Sequence, residues 1–414
     1  MTTVVSEASV RPTSRFRPWS ANIVRSALHH PLFSYRVVVT TSGLLLFLGL
    51  MMVMSSSSVI AAVDMEDPYY FVKKQIIFAG LGVVAAWILS RLSEKLISKS
   101  AWPVFLIAVL LLTMTISPLG VSVSGNQNWL SFGPAWTQFQ PSEFAKVAII
   151  VWGANDLARR GKYLRDLRQW LVFVFGAMSL TALVVFQKDQ GTAMVFLAIM
   201  ILILIAAGAP LRLLFSLIVT VGVGVVALIV YQPYRMARFW AFFNPEEDPM
   251  GLNLQSRRGV YALASGGWFG QGLGSSRQKW GLLAESHTDF VFAIIGEELG
   301  LVGTITVIGL FVVLALVGIR IATRSVSTFS RLIAVGVIAW LTVQAFVNIA
   351  VAIRLVPVMG ITLPMISYGG SSLLANLAAI GLLAGCARRE PEAAALLATR
   401  RHQPRWRTIV RTQS

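Results

Sequence analysis

Glu143 and Lys146 stand three residues apart in Gln140-Pro141-Ser142-Glu143-Phe144-Ala145-Lys146, at the start of an otherwise apolar run. On a helix that spacing puts an acid and an ammonium on one face. Asp189 opens a second apolar run from Gln187-Lys188-Asp189-Gln190-Gly191, and Asp289 opens a third from His287-Thr288-Asp289-Phe290. Glu297-Glu298 lie within that third run, about 12 Å further along a helix. A fourth run begins at Gly369-Gly370-Ser371-Ser372. Ionisable groups inside apolar runs are expensive and point to function. A carboxylate such as Asp289 at a lipid–water boundary is partly desolvated, which suits it to general-base work near neutral pH. Helix N-termini attract anions, phosphate above all, and Lys146, Lys188, Arg235, Arg238 and Lys279 are cations on hand for a pyrophosphate. Gly369-Gly370-Ser371 offers a backbone nest for the same anion.

Each feature also has a plainer reading. Glu143 and Lys146 neutralise each other in lipid; Thr288 or Asp289 caps a helix; Gly369-Gly370 makes a tight turn; Glu297 ties helices together. The glycine-rich run from Ser265 to Gly274 follows no strand, so a dinucleotide fingerprint is not expected there and a closely packed loop is.

The elements that carry these residues follow from composition. The 414 residues are 56% hydrophobic and 13% charged, with a net charge of +17 and a mean hydropathy of +0.71. Soluble chains carry about a quarter charged residues. Ten apolar runs, 38–63, 72–90, 102–120, 142–158, 170–186, 192–208, 213–231, 289–318, 331–353 and 371–387, approach the roughly 20 residues that cross a bilayer. In lipid each must be helical, so the expectation is an all-α polytopic membrane protein. Alternate connections then fall on one side, and with both tails and the run ends that adjoin them they hold 24 of the 35 Lys and Arg residues but six of the 18 acids. The positive-inside rule makes that side cytoplasmic, with both termini inside.

The predicted layout is a disordered basic tail over 1–36, a membrane domain over 37–388 with a long outer loop at 232–288, and a disordered basic tail over 389–414. The first span reads as an uncleaved anchor in the cytoplasmic (inner) membrane. Basic residues scattered between apolar runs do not make a nucleic-acid face. Cys386, the single cysteine, forms no internal disulfide. No metal-ligand cluster appears and no cofactor is required by the sequence; a divalent cation, Mg or Mn, is left open as a companion of the pyrophosphate. With ten spans, the polar clusters opening the fourth, sixth, eighth and tenth lie together at the outer ends of their helices, as one site. Activated nucleotides are not normally supplied on that side, so the phosphorylated substrate expected there is one tethered to lipid.

These motifs, together with Phe243-Asn244-Pro245-Glu246-Glu247-Asp248-Pro249, Gly270-Gln271-Gly272-Leu273-Gly274, Glu297-Glu298-Leu299-Gly300 and Leu363-Pro364-Met365-Ile366-Ser367-Tyr368, resemble the SEDS family (shape, elongation, division, sporulation) from about 35 to 390. The Asn-Pro motif and Gln278-Lys279 are most similar to its cell-division branch. The resemblance implies a peptidoglycan glycosyltransferase that polymerises lipid II on the outer face of the cytoplasmic membrane at the division septum. It would release undecaprenyl pyrophosphate and work with a class B penicillin-binding protein and other divisome proteins. By resemblance Asp289 matches the essential aspartate, and Glu143 with Lys146 the acid–base pair of a central cavity. Asn128 stands where the family often has arginine. Asp289 is thus the candidate catalytic base; Glu143, Lys146, Asp189, Arg238, Lys279 and Ser371 are candidate substrate contacts; Glu297, Gly369 and Gly370 are supports. A flippase for the lipid-linked precursor and a non-catalytic scaffold are the alternatives the sequence leaves open.

Overall fold

The computed structural model describes residues 30–123, 126–131, 133, 138–161, 166–231, 233–244 and 253–402. Residues 245–249 of the Asn-Pro motif, nearly all of the N-terminal tail and 403–414 lie outside the described residues. Helices stand at all ten predicted places: α1 (Phe33–Asp64), α2 (Tyr70–Arg91), α3 (Glu94–Ile116), α4 (Pro141–Arg160), α5 (Leu167–Phe186), α6 (Gln190–Ala207), α7 (Leu211–Tyr231), α10 (Val291–Arg324), α11 (Thr328–Ala352) and α12 (Gly370–Arg388). Eight of them are long and apolar enough to cross a membrane. The other two are α4 and α7. The first carries Glu143, Lys146, Asp156, Arg159 and Arg160 within its 20 residues, while the second is apolar over the shorter stretch Leu211–Ala227. The chain is an integral membrane protein, and its described residues form helices apart from one hairpin.

That hairpin was not expected. Between α3 and α4, β1 (Gly120–Val123) pairs antiparallel with β2 (Asn126–Leu130), Val121 facing Trp129. The outer loop is also structured, with α8 (Pro233–Phe243) and α9 (Leu254–Ser265). The C-terminal tail, expected to be disordered, instead carries α13 (Pro391–His402). Proline at its first position is pre-set for a helix start, and Arg324 of α10 pairs with Glu392 at 3.3 Å.

At the centre, α11 packs on α4, α6, α10 and α12, while α12 lies along α2. Trp340 and Leu341 of α11 are fully buried, and the core they join is continuous from α1 to α12. Between lipid-covered helices there is little hydrophobic drive, so close approach and polar contacts set the packing.

The glycine-rich run explains itself against α10. Gly300 breaks that helix with φ 67° and ψ −162°, a conformation that costs glycine alone little. The backbone groups freed by the break are taken up by the loop. Gln271 N–H donates to the Glu297 carbonyl at 2.9 Å and Gly272 N–H to that of Glu298 at 3.0 Å, while Leu301 N–H donates to the Gly267 carbonyl at 2.9 Å. A Cβ at Gly266 would sit 1.8 Å from the Gly296 carbonyl oxygen. Irregular backbone beside a membrane helix survives when protein satisfies it, and close packing is the reason for these glycines.

Candidate functional site

Proline at the first position of α4 fixes its start, and Glu143 and Lys146 follow on the first turns of a helix that is almost wholly buried. Lys146 Nζ donates to Glu143 Oε1 at 2.6 Å and to Gln344 Oε1 of α11 at 3.0 Å, and stands 4.8 Å over the Trp340 ring. Trp340 Nε1 donates to the same Gln344 oxygen at 2.6 Å. The ammonium is 1% exposed, so its charge is held by protein rather than water. Glu143 Oε2 is buried without a hydrogen-bond partner.

Asp189 caps α6. Its Oδ1 accepts from Thr192 N–H at 2.9 Å, and its Oδ2 accepts from Asn128 Nδ2 at 2.9 Å and Gln140 Nε2 at 3.1 Å. The hairpin therefore exists to deliver Asn128 to this carboxylate, and an arginine there would bring a charge in place of a neutral amide. Ser371 joins from α12, its hydroxyl accepting from Gln140 N–H at 3.1 Å. Beside these elements lies a small, partly open cavity of about 30 Å³, lined by Gln140, Glu143, Lys146, Thr192, Val195, Gln344 and the stretch Gly360, Ile361 and Thr362.

Asp289 does not line this pocket but lies beside Gly360, which does. A Cβ built on Gly360 would lie 3.8 Å from Asp289 Oδ2. The capping position of α10 belongs to Phe290, which makes no side-chain cap bond. The segment that carries it is gripped at three successive carbonyls. That of His287 accepts from Tyr368 N–H at 2.9 Å, that of Thr288 from Ser367 Oγ at 2.6 Å, and that of Asp289 from Asn348 Nδ2 at 2.8 Å. Gln75 of α2 holds the other side, accepting from Gly369 N–H at 3.3 Å and donating to the Ser367 carbonyl at 3.2 Å. The His287 ring lies 5.2 Å from Phe71 and 5.8 Å from Tyr368. Burial pushes the imidazole below its ordinary range against the opposing pull of Glu285, and burial pushes the Tyr368 hydroxyl up to about 12.

Three expectations change. Gly369 is extended (φ 163°) and its N–H is taken by Gln75, so 369–371 make no nest. Gly370 serves packing, since a Cβ there would stand 2.4 Å from Phe78 of α2. The four polar clusters are also not one site throughout. Lys279, which does not line the pocket, is buried elsewhere, donating to Glu298 Oε1 at 3.2 Å, Ser55 Oγ at 3.4 Å and the Gly274 carbonyl at 2.7 Å. Glu297 accepts from Ser276 Oγ and from Arg277 N–H at 3.0 Å. Both glutamates fasten the outer loop to α10, the helix-tying role that was the alternative for Glu297. Arg238 belongs to α8, and its side chain, like that of Arg235, lies outside the described residues.

Sequence reasoning passed over Gln344, Asn348 and Gln75, each 1% exposed. Their signal was present, as lone amides in apolar runs, with Gln344 and Asn348 one helical turn apart.

Residues 35–392 match the family model for the cell cycle proteins FtsW, RodA and SpoVE. The probable peptidoglycan glycosyltransferase FtsW of Mycobacterium tuberculosis is 39% identical over 391 residues, 94% of this chain and 73% of that protein. Stage V sporulation protein E of Bacillus subtilis is 38% identical over 85% of this chain and 96% of its own length. Among solved structures, a chain of a peptidoglycan synthase complex that coordinates polymerization and crosslinking superimposes with a TM-score of 0.69 at 27% identity, covering 86% of this chain and 97% of that one. The rod shape determining protein RodA of Thermus thermophilus superimposes at 0.63 and 28% identity, over 86% of this chain and 96% of its own.

Proposed function

The chain belongs to the cell cycle protein family of FtsW, RodA and SpoVE, and we propose that it is a peptidoglycan glycosyltransferase of septal wall synthesis that polymerises lipid II on the outer face of the cytoplasmic membrane. The observation that carries this reading is the meeting of Asp289 with the Glu143–Lys146 pocket across Gly360. A carboxylate beside the pocket wall and a desolvated ammonium within are a base and a cation of the kind that glycosyl transfer from a pyrophosphate uses.

In this mechanism the 4-hydroxyl of the terminal N-acetylglucosamine of one lipid-linked molecule attacks the anomeric carbon of N-acetylmuramic acid in the other, with inversion. Asp289 takes the hydroxyl proton as the new C–O bond forms. The bond to undecaprenyl pyrophosphate breaks, and Lys146 faces the negative charge that grows on the leaving oxygen, in a site where water does not screen it. Glu143 and Gln344 hold Lys146 in place. Asp189 and Ser371 hold Gln140, a lining residue, in place, with Asn128 bonded to the same Asp189 carboxylate. Lys279 holds the outer loop, while Arg238 is a further cation for the pyrophosphate.

Among the described residues no three His, Cys, Asp or Glu side chains gather to hold a metal. Mg²⁺ would ride on the pyrophosphate and needs only one or two carboxylates of the protein; Glu143, which lines the pocket, is paired with Lys146, which leaves Asp289 beside Gly360 as the candidate, and no step above depends on the ion. The basic connections support an orientation with both termini cytoplasmic. The likeness to a synthase complex supports a class B penicillin-binding protein as the crosslinking partner. A carrier would instead need a midplane site open from both sides, whereas Glu143 and Lys146 lie in the first two turns of α4.

Asp289→Asn, purified with the partner and given lipid II, should make no glycan strands while still binding the lipid. Polymer at a near-normal rate would remove Asp289 as base. Translocation of labelled lipid without polymer by the unaltered protein would favour a flippase, and neither activity a scaffold.

A further inference from the structure

Two amides on α11 grip one stretch of backbone. Gln344 and Asn348 follow each other by one turn, both 1% exposed, on the helix at the centre of the molecule. Asn348 Nδ2 donates to the Asp289 carbonyl at 2.8 Å and to the Ile361 carbonyl at 2.7 Å. One turn earlier, Gln344 Nε2 donates to the Thr362 carbonyl at 2.9 Å while its Oε1 accepts from Lys146 at 3.0 Å. Adjacent carbonyls of the pocket wall are therefore each tied to a different charged group. Ile361 is tied to the residue bearing the carboxylate, and Thr362 to the ammonium.

We propose that Gln344 and Asn348 form a two-rung ladder that fixes the separation of Asp289 and Lys146, and that Asn348 is a positioning residue for polymerisation. A rigid helix with side chains one turn apart, about 6 Å, is a ruler. It holds the group that takes the acceptor's proton in register with the group that faces the leaving pyrophosphate. Asn348 does not line the pocket, so its rung of the ladder acts on the chemical step. Asn348 Oδ1 is buried without a hydrogen-bond partner, a cost that an apolar residue here would avoid and that the two bonds from Nδ2 must offset. The inference rests on the glycosyl-transfer reading and on Asp289 as base.

The test compares Asn348→Leu, which keeps the branched shape and removes the donor, with Asn348→Ser, which loses volume and keeps a donor. Both are purified with the partner protein, and kcat and KM for lipid II are measured beside Leu341→Ala, a buried packing change on the same helix. A loosened base costs on the order of 10- to 100-fold, so Asn348→Leu should lose that much kcat with KM nearly unchanged. Asn348→Ser should retain more kcat than Asn348→Leu. Leu341→Ala should lower thermal stability and spare kcat. A normal kcat in Asn348→Leu, a leucine variant faster than the serine variant, a loss carried by KM, or an equal loss in Leu341→Ala would overturn the ladder. Should the leucine variant fail to purify folded, the kcat and KM of the serine variant decide alone, a rise confined to KM counting against the ladder. Asp289→Asn in the same assay separates the two claims. If it is inactive while Asn348→Leu is normal, the base stands and the ladder falls; if it is active, the mechanism itself fails.

Discussion

Lys146→Met should destabilise the protein by about 4 kcal/mol, because removing one member of a buried ion pair strands the other at a cost of roughly 3–5 kcal/mol. The structure places this pair at the severe end of that situation. Lys146 Nζ lies 2.6 Å from Glu143 Oε1, the side chains are 1% and 5% exposed, and Glu143 Oε2 already lacks a hydrogen-bond partner. Without the ammonium, both oxygens of Glu143 are buried with nothing to accept from, and Gln344 keeps only Trp340 as donor to its oxygen. The companion variant is Glu143→Gln with Lys146→Met, which removes both charges and so restores most of the stability. It should not restore activity. If Lys146 faces the leaving pyrophosphate, the double variant still loses on the order of 10²- to 10³-fold in kcat, the usual cost of one electrostatic stabiliser. SDS-titration unfolding gives the stabilities, and strand synthesis from labelled lipid II gives the rates. A double variant that regains both stability and turnover would show that the pair only neutralises itself in lipid. A single variant as stable as the parent would show that water reaches the pair.

Two further outcomes follow from the same contacts. Lys279→Met should cost about 3 kcal/mol, since Glu298 loses its cation yet keeps Ser55 and the Ser276 N–H; KM for lipid II should be unchanged, and a large KM rise at unaltered stability would return Lys279 to the substrate. His287 has its pKa lowered by burial. Its neutral form therefore favours the folded state fully above the unfolded value near 6.5, and stability should fall by up to about 1.4 kcal/mol per pH unit below it. His287→Gln should flatten that part of the stability profile, and an unchanged slope would assign the acid sensitivity to other groups.

The amino-acid sequence determined what lipid enforces. Apolar runs long enough to cross a bilayer have no folded option but a helix, since unpaired backbone groups find no water there, and the positions of all ten helices were readable from α1 to α12 for that reason. Polar residues at the run starts, Glu143, Lys146, Asp189 and Asp289, stood out because charge is rare in such surroundings. Register across helices is a different matter. Whether a buried lysine faces substrate or a carboxylate depends on which helix face meets which neighbour, and small local approaches such as Gly266 against Gly296 decide it. Only the tertiary structure could therefore send Lys146 to the pocket and Lys279 to Glu298, two lysines that look alike as cations near the outer face. The hairpin and the break at Gly300 were hidden for a related reason: their strands and turns are stabilised by contacts with α3 and α10, not by their own short sequences. The amides Gln344 and Asn348 drew no notice because an uncharged polar residue in an apolar run carries no function by itself; it acquires one when the fold brings the carbonyls of Asp289, Ile361 and Thr362 within reach.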